Sequence, residues 1–90
     1  MEALLDVISV EPRRDSTLLL VFENGERRIF DMSHLLNKRP FHKLKDSKLF
    51  FEARVDGGTV IWPGNIDIAP ETLFDQSTLV STEIRSASKI

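Results

Sequence analysis

The chain has no cysteine. That excludes disulfides, thiolate metal centres and a cysteine nucleophile, and it suits a reducing compartment. Long apolar runs are missing as well. The longest, Leu18 to Phe22, covers five residues, far short of the roughly 20 that a membrane helix needs. The first residues, Met1-Glu2-Ala3-Leu4-Leu5-Asp6, carry neither a basic segment nor a signal-like apolar stretch. A soluble cytoplasmic protein with no membrane partner is the expectation.

Catalytic signatures are equally scarce. No Gly-x-Ser-x-Gly elbow occurs. No glycine-rich loop opens a helix, because Gly57-Gly58 falls inside a hairpin. His34 and His42 are the only histidines. With Asp31 and Asp46 they match no familiar ligand spacing, and zinc sites bring three or four convergent ligands. Asp56 and Asp67 read as turn residues rather than as an acid–base pair. No enzyme, cofactor or metal is expected, and a small hydrolase or metal enzyme ranks last among the function classes.

What is present is an ordinary globular composition. Hydrophobic residues make up 41 % and charged residues 29 % of the 90 residues, values that support a folded single domain. Net charge is −2 but unevenly spread. Residues 1–26 carry two Arg against six acids, residues 27–54 eight Lys and Arg against three acids, and residues 55–90 two against five. A basic middle therefore lies between acidic ends.

The ordering along the chain predicts hairpins. A first strand is expected over residues 3–10, ended by Glu11-Pro12. Residues 17–22 and 27–31 flank Asn24-Gly25, the strongest short hairpin signal. A two-residue loop there pairs Phe22 with Arg27 and Leu20 with Ile29. The main core face is then Leu18, Leu20, Phe22 and Ile29. The other face, Leu19, Val21 and Phe30, is too apolar to stay wet and calls for helices or a second copy of the chain. A short helix is expected from Asp31 or Ser33 to Asn37, and another turn at Pro40-Phe41-His42-Lys43-Leu44.

Residues 49–55 read as a strand leading into Asp56-Gly57-Gly58 and Thr59-Val60-Ile61-Trp62. Two turns are open. Asp56-Gly57 sets Phe51 against Trp62, and Gly57-Gly58 sets Val55 against Val60. The aromatic pairing favours the first. Trp62-Pro63-Gly64-Asn65 fits a type II turn. Pro70 suits the first position of a helix whose buried side is Leu73 and Phe74. The division is a single α+β domain over 1–76 and a weakly ordered tail over 77–90, with a last strand allowed around Leu79-Val80.

Several of these residues together resemble a known family. They are the Phe22-Glu23-Asn24-Gly25 hairpin, Asp31-Met32, Phe41 with Leu44, Asp46 and Phe50, Trp62-Pro63, and Asp67-Ile68-Ala69-Pro70-Glu71-Thr72-Leu73-Phe74. The chain is similar, over about residues 5 to 75, to the bacterial domain of unknown function 2442. Members typically read Trp-Pro-Asn-Gly where this chain has Gly64-Asn65, and often end the motif in Tyr where it has Phe74. The resemblance implies a small α+β fold with no established activity. It also implies a protein partner encoded nearby, in arrangements like toxin–antitoxin pairs. Some members continue into a helix-turn-helix, which is not expected in the residues after Asp75.

The fold expected is α+β: an antiparallel sheet of about five strands built from hairpins, with short helices and one closing helix. The surface expected to bind is basic: Arg27, Arg28, Lys38, Arg39, His42, Lys43, Lys45 and Lys48. It would take an acidic partner protein or nucleic-acid phosphates. A sequence pI near 5.6 and few exposed aromatics favour protein, with a regulator that contacts DNA through residues 38–48 as the alternative. The function expected is a small protein-interaction module, antitoxin-like, with a homodimer open.

Overall fold

The computed structural model describes residues 5–82. Residues 3–4 of the expected first strand and 83–90 of the expected tail lie outside them. Seven antiparallel strands form two sheets: β1 (Val7–Pro12), β2 (Thr17–Phe22), β3 (Glu26–Asp31) and β7 (Thr78–Thr82) in one, β4 (Arg54–Asp56), β5 (Thr59–Trp62) and β6 (Ile66–Ile68) in the other. A 3-10 helix (Phe41–Lys45) and two short α-helices, α1 (Ser47–Phe50) and α2 (Pro70–Asp75), complete it. The class is α+β with hairpin-built antiparallel sheets, divided in two rather than gathered into one sheet of about five strands. β7 is the strand allowed for at Leu79-Val80.

The first hairpin is shifted by one residue from the expected register. Val21 pairs with Arg27, Leu19 with Ile29 and Leu18 with Phe30. The loop holds three residues, not two. The Gly25 amide donates to the Phe22 carbonyl, and the Glu26 amide donates to Asn24 Oδ1. The Asn24 side chain thus holds a longer turn of a common hairpin type. A one-residue slip swaps the faces of a strand. The core face becomes Leu18, Leu20, Phe22 and Phe30, all fully buried. Ile29 moves to the outer face beside Leu19 and Val21, half-buried. Burial of the larger Phe30 ring favours this register. Its cost is that Glu26 and Arg28 now sit on the inner side, where they need partners.

Residues 47–50 are helical rather than extended. Asp46 accepts the Lys48 amide and so caps a turn of helix. The following hairpin turns at Gly57-Gly58, with φ of +62° and +83° and Val55 opposite Val60. Positive φ at both central residues is the demand of a type I′ turn. The expected Phe51–Trp62 pair does not form. Phe50 from α1 stacks on Trp62 instead, with ring centroids 6.4 Å apart, and its carbonyl accepts a hydrogen bond from Trp62 Nε1 at 3.0 Å. Phe51 is 45 % exposed. The tryptophan thus meets an aromatic ring one residue from the one foreseen, and its N–H is satisfied where burial would otherwise make it costly.

No helix forms over 31–37. Ser33 donates its amide to Asp31 Oδ1, then Leu35 to the Met32 carbonyl and Lys38 to the Leu35 carbonyl. The Asp31 side chain takes the Ser33 amide and competes with helical pairing, and the chain continues as successive turns toward Pro40. The second expected turn is the 3-10 helix, with Leu44 buried.

The two sheets share one core. Val60, Trp62, Ile66 and Ile68 from one meet Val7, Leu18, Leu20, Phe22 and Phe30 from the other, with Met32, Leu44, Phe50 and Leu73 filling between. β1 joins them: the Val7 amide donates to the Gly58 carbonyl at 2.9 Å while the rest of β1 pairs with β2. Pro70 opens α2 as expected, and Phe74 meets Phe22 edge-on at 5.2 Å.

Candidate functional site

The eight basic residues singled out in the sequence fall into two groups. Arg28 belongs to the fold. Its Nε donates to Ser77 Oγ at 2.7 Å, Nη2 to the Ser77 carbonyl at 3.1 Å, and Nη1 to Glu26 Oε1 at 2.7 Å. Its guanidinium lies 4.2 Å from the Phe74 ring centroid. The cation ties β3 to the chain between α2 and β7, and it satisfies the buried Ser77. Arg27, on the outer face of β3 opposite Ser81, is engaged as well.

The other six are exposed: Lys38, Arg39, His42, Lys43, Lys45 and Lys48. Among the described residues none of them has a carboxylate within salt-bridge range. Residues 38–48 hold five Lys and Arg against Asp46 alone, so the segment carries +4 and the remaining residues −6. Asp46 is occupied in capping α1. The positive charge is therefore localised and uncompensated by close pairing.

Three of the six line one hollow. Arg39, His42 and Lys43 surround a space of about 330 Å³ whose wall is completed by Pro40, Gly64 and Ile66. The 3-10 helix holds His42 and Lys43, and its buried Leu44 anchors them. The opposite wall is the turn between β5 and β6. There Gly64 takes φ +93° and Asn65 +64°, the first as the third position of a Pro-Gly type II turn requires. The structure thus brings the basic stretch against the Trp62-Pro63-Gly64-Asn65 turn. The sequence pattern of that turn speaks mostly for a structural job, reversing the chain. Its share in the hollow has no local sequence signal, since it depends on how residues 39–43 fold back over β6.

A second hollow of about 350 Å³ lies on the other side of the same turn. Arg54, Ile61 and Asp67 line it with residues 62–66. These three stand side by side across β4, β5 and β6. Arg54 was not among the expected site residues.

No group of three or more His, Cys, Asp or Glu among the described residues could hold a metal ion. His34 instead lies 6.4 Å from the Phe30 ring centroid, tilted against it. Asp31 has its carboxyl held below its ordinary value near 3.8, first by the Ser33 amide that donates to it and then by the Ser33 hydroxyl, with His34 adding a small attraction. No helix of the described residues is long and apolar enough to cross a membrane.

Fold and surface together define a small α+β module with an exposed basic segment, three of whose side chains line a hollow. Residues 7–78 match the family model described as "Protein of unknown function (DUF2442)", and the chain belongs to that family. No curated protein and no solved structure matches the chain.

Proposed function

We propose that this chain is a small protein-interaction module whose basic surface, residues 38–48, binds an acidic partner protein. One observation carries the reading. Six cation-forming side chains are exposed with no carboxylate partner among the described residues, in an otherwise acidic chain, and three of them line a hollow. A hollow lined by Arg39, His42 and Lys43 lets one acidic side chain meet several donors at once, which scattered surface lysines do not. Charge of this kind steers association and selects partners more than it adds affinity. On this reading the chain is the antitoxin-like half of a two-protein system in the cytoplasm, with its partner encoded nearby; the family resemblance supports that choice.

Co-expression with the neighbouring gene product, followed by pull-down, tests this. A stable complex that weakens with salt is the expected result. Absence of a complex at low salt, with both proteins folded, refutes it. A DNA-contacting role through the same residues is the second reading, since phosphates suit the same cations. It predicts a salt-sensitive shift of DNA from the chain's own promoter.

A further inference from the structure

We infer that the two hollows flanking the 62–66 turn are one continuous groove for an extended acidic peptide segment, with a carboxylate seated between Arg39, His42 and Lys43. The inference rests on the acidic-partner reading and adds the form in which the partner presents its charge.

The hollows share two wall residues, Gly64 and Ile66. Ile66 is buried and makes the common apolar floor. Gly64 is the ridge between them. A Cβ placed on Gly64 would have no neighbour within 4 Å, so the ridge is bare backbone facing open space. An extended chain can cross it without meeting a side chain. The first hollow offers an arginine fork, an imidazole and an ammonium for an oxyanion, with exposed Pro40 for the methylenes of a Glu stem.

The second hollow decides between a peptide and a nucleic acid. Arg54 and Asp67 stand two strands apart there with Ile61 between them, a separation of roughly 10 Å. A nucleic-acid strand places a phosphate at every step and meets Asp67 with like charge. A peptide can set an acid near Arg54 and an amide N–H near Asp67. The −6 carried by the rest of the chain further opposes a long polyanion while leaving a short acidic segment attracted to residues 38–48.

The test is an amide-resolved NMR titration of the full chain. The probes are a blocked hexapeptide alternating Glu and Ala, and hexathymidylate. The peptide is expected to shift the amides of His42, Lys43, Gly64 and Asn65. The double variant Arg39→Ala with Lys43→Ala is expected to weaken binding by about tenfold or more, while Lys45→Ala with Lys48→Ala changes it less than about threefold.

Exchanging the turn residues, Gly64→Asn with Asn65→Gly, puts a side chain on the ridge. Both positions have positive φ, which Asn and Gly tolerate. The exchange is expected to weaken binding about fivefold or more with the fold retained. If the exchanged chain does not fold, the alanine pairs decide alone.

Tighter binding of hexathymidylate at the same amides overturns the peptide assignment. Shifts confined to Lys45 and Lys48, equal losses for both alanine pairs, or no shift at millimolar peptide overturn the groove. Failure of the neighbour pull-down with a positive titration removes the gene-partner reading and leaves the groove standing. A pull-down unaffected by the Arg39, Lys43 and Gly64 changes does the reverse.

Discussion

Replacing Arg28 by Met separates the basic residue that builds the fold from those proposed to face a partner. Methionine keeps an apolar stem against Phe74 and loses the guanidinium. Three donated hydrogen bonds disappear, to Ser77 Oγ, the Ser77 carbonyl and Glu26 Oε1. The Ser77 hydroxyl still donates to the Phe74 carbonyl, so the larger losses are the Ser77 carbonyl and the Glu26 carboxylate. The side chains of Arg28 and Glu26 are only 14 % and 23 % exposed, which limits what water restores. An orphaned, largely buried acceptor costs about 1–3 kcal/mol, and the cation–ring contact adds about 0.5–1 kcal/mol.

A total of about 2–4 kcal/mol is expected, a substantial part of the roughly 5–13 kcal/mol that holds a chain of this size. In urea, with a slope of about 1–3 kcal/mol per M, the midpoint falls by about 1 M or more. Lys45→Met is the control and stays within about 0.5 kcal/mol of the parent. Partner binding per folded molecule is unchanged by Arg28→Met. The reasoning fails if Arg28→Met unfolds at the same midpoint as the control, or if it abolishes binding while leaving stability intact.

Other consequences follow from the register and from Asp31. Phe30→Ala removes a fully buried ring and costs about 3–5 kcal/mol, while Ile29→Ala on the half-buried outer face costs less than about 1.5 kcal/mol. Equal midpoints in urea for the two variants, or the reverse order, contradict the observed pairing. The ionised form of Asp31 is favoured in the folded chain, because its folded-state pKa lies below the ordinary 3.8. Its contribution is full above about pH 4 and is lost as the pH falls through the lower folded value. Melting temperatures of the parent and Asp31→Asn therefore differ at neutral pH and converge in acid; a gap that widens in acid reverses the sign. The outer face carrying Leu19, Val21 and Ile29 makes a homodimer a measurable proposal. Sedimentation in which the mass rises with concentration, and in which Val21→Lys abolishes that rise, supports it. A monomer at all concentrations removes it.

Local signals carried much of the fold. Pro70 at the first position of α2, the Pro63-Gly64 turn and the hairpin at Asn24-Gly25 all stand where the residues place them, because each rests on the backbone demands of one or two residues. Elsewhere a side chain decided, either a distant one or an aspartate that captured a nearby backbone amide. Asn-Gly implies a two-residue loop, but burial of Phe30 and the reception of Arg28 by Ser77, 49 residues on, selected the longer one. Phe50 rather than Phe51 met Trp62, because Asp46 diverted the chain into a helical turn before β4. The basic stretch was legible as composition. Its concavity was not, since Arg39, His42 and Lys43 acquire a facing wall only when Gly64 and Ile66 arrive from another hairpin.

The central claim is that Arg39, His42 and Lys43, against the Gly64 turn, are where the partner docks. Calorimetric titration of the neighbouring gene product into the parent and into Arg39→Glu with Lys43→Glu tests it most directly. The account predicts binding to the parent that weakens with added salt, and a loss of about a hundredfold or more for the charge-reversed chain at unchanged melting temperature. Equal affinity for the two chains contradicts it.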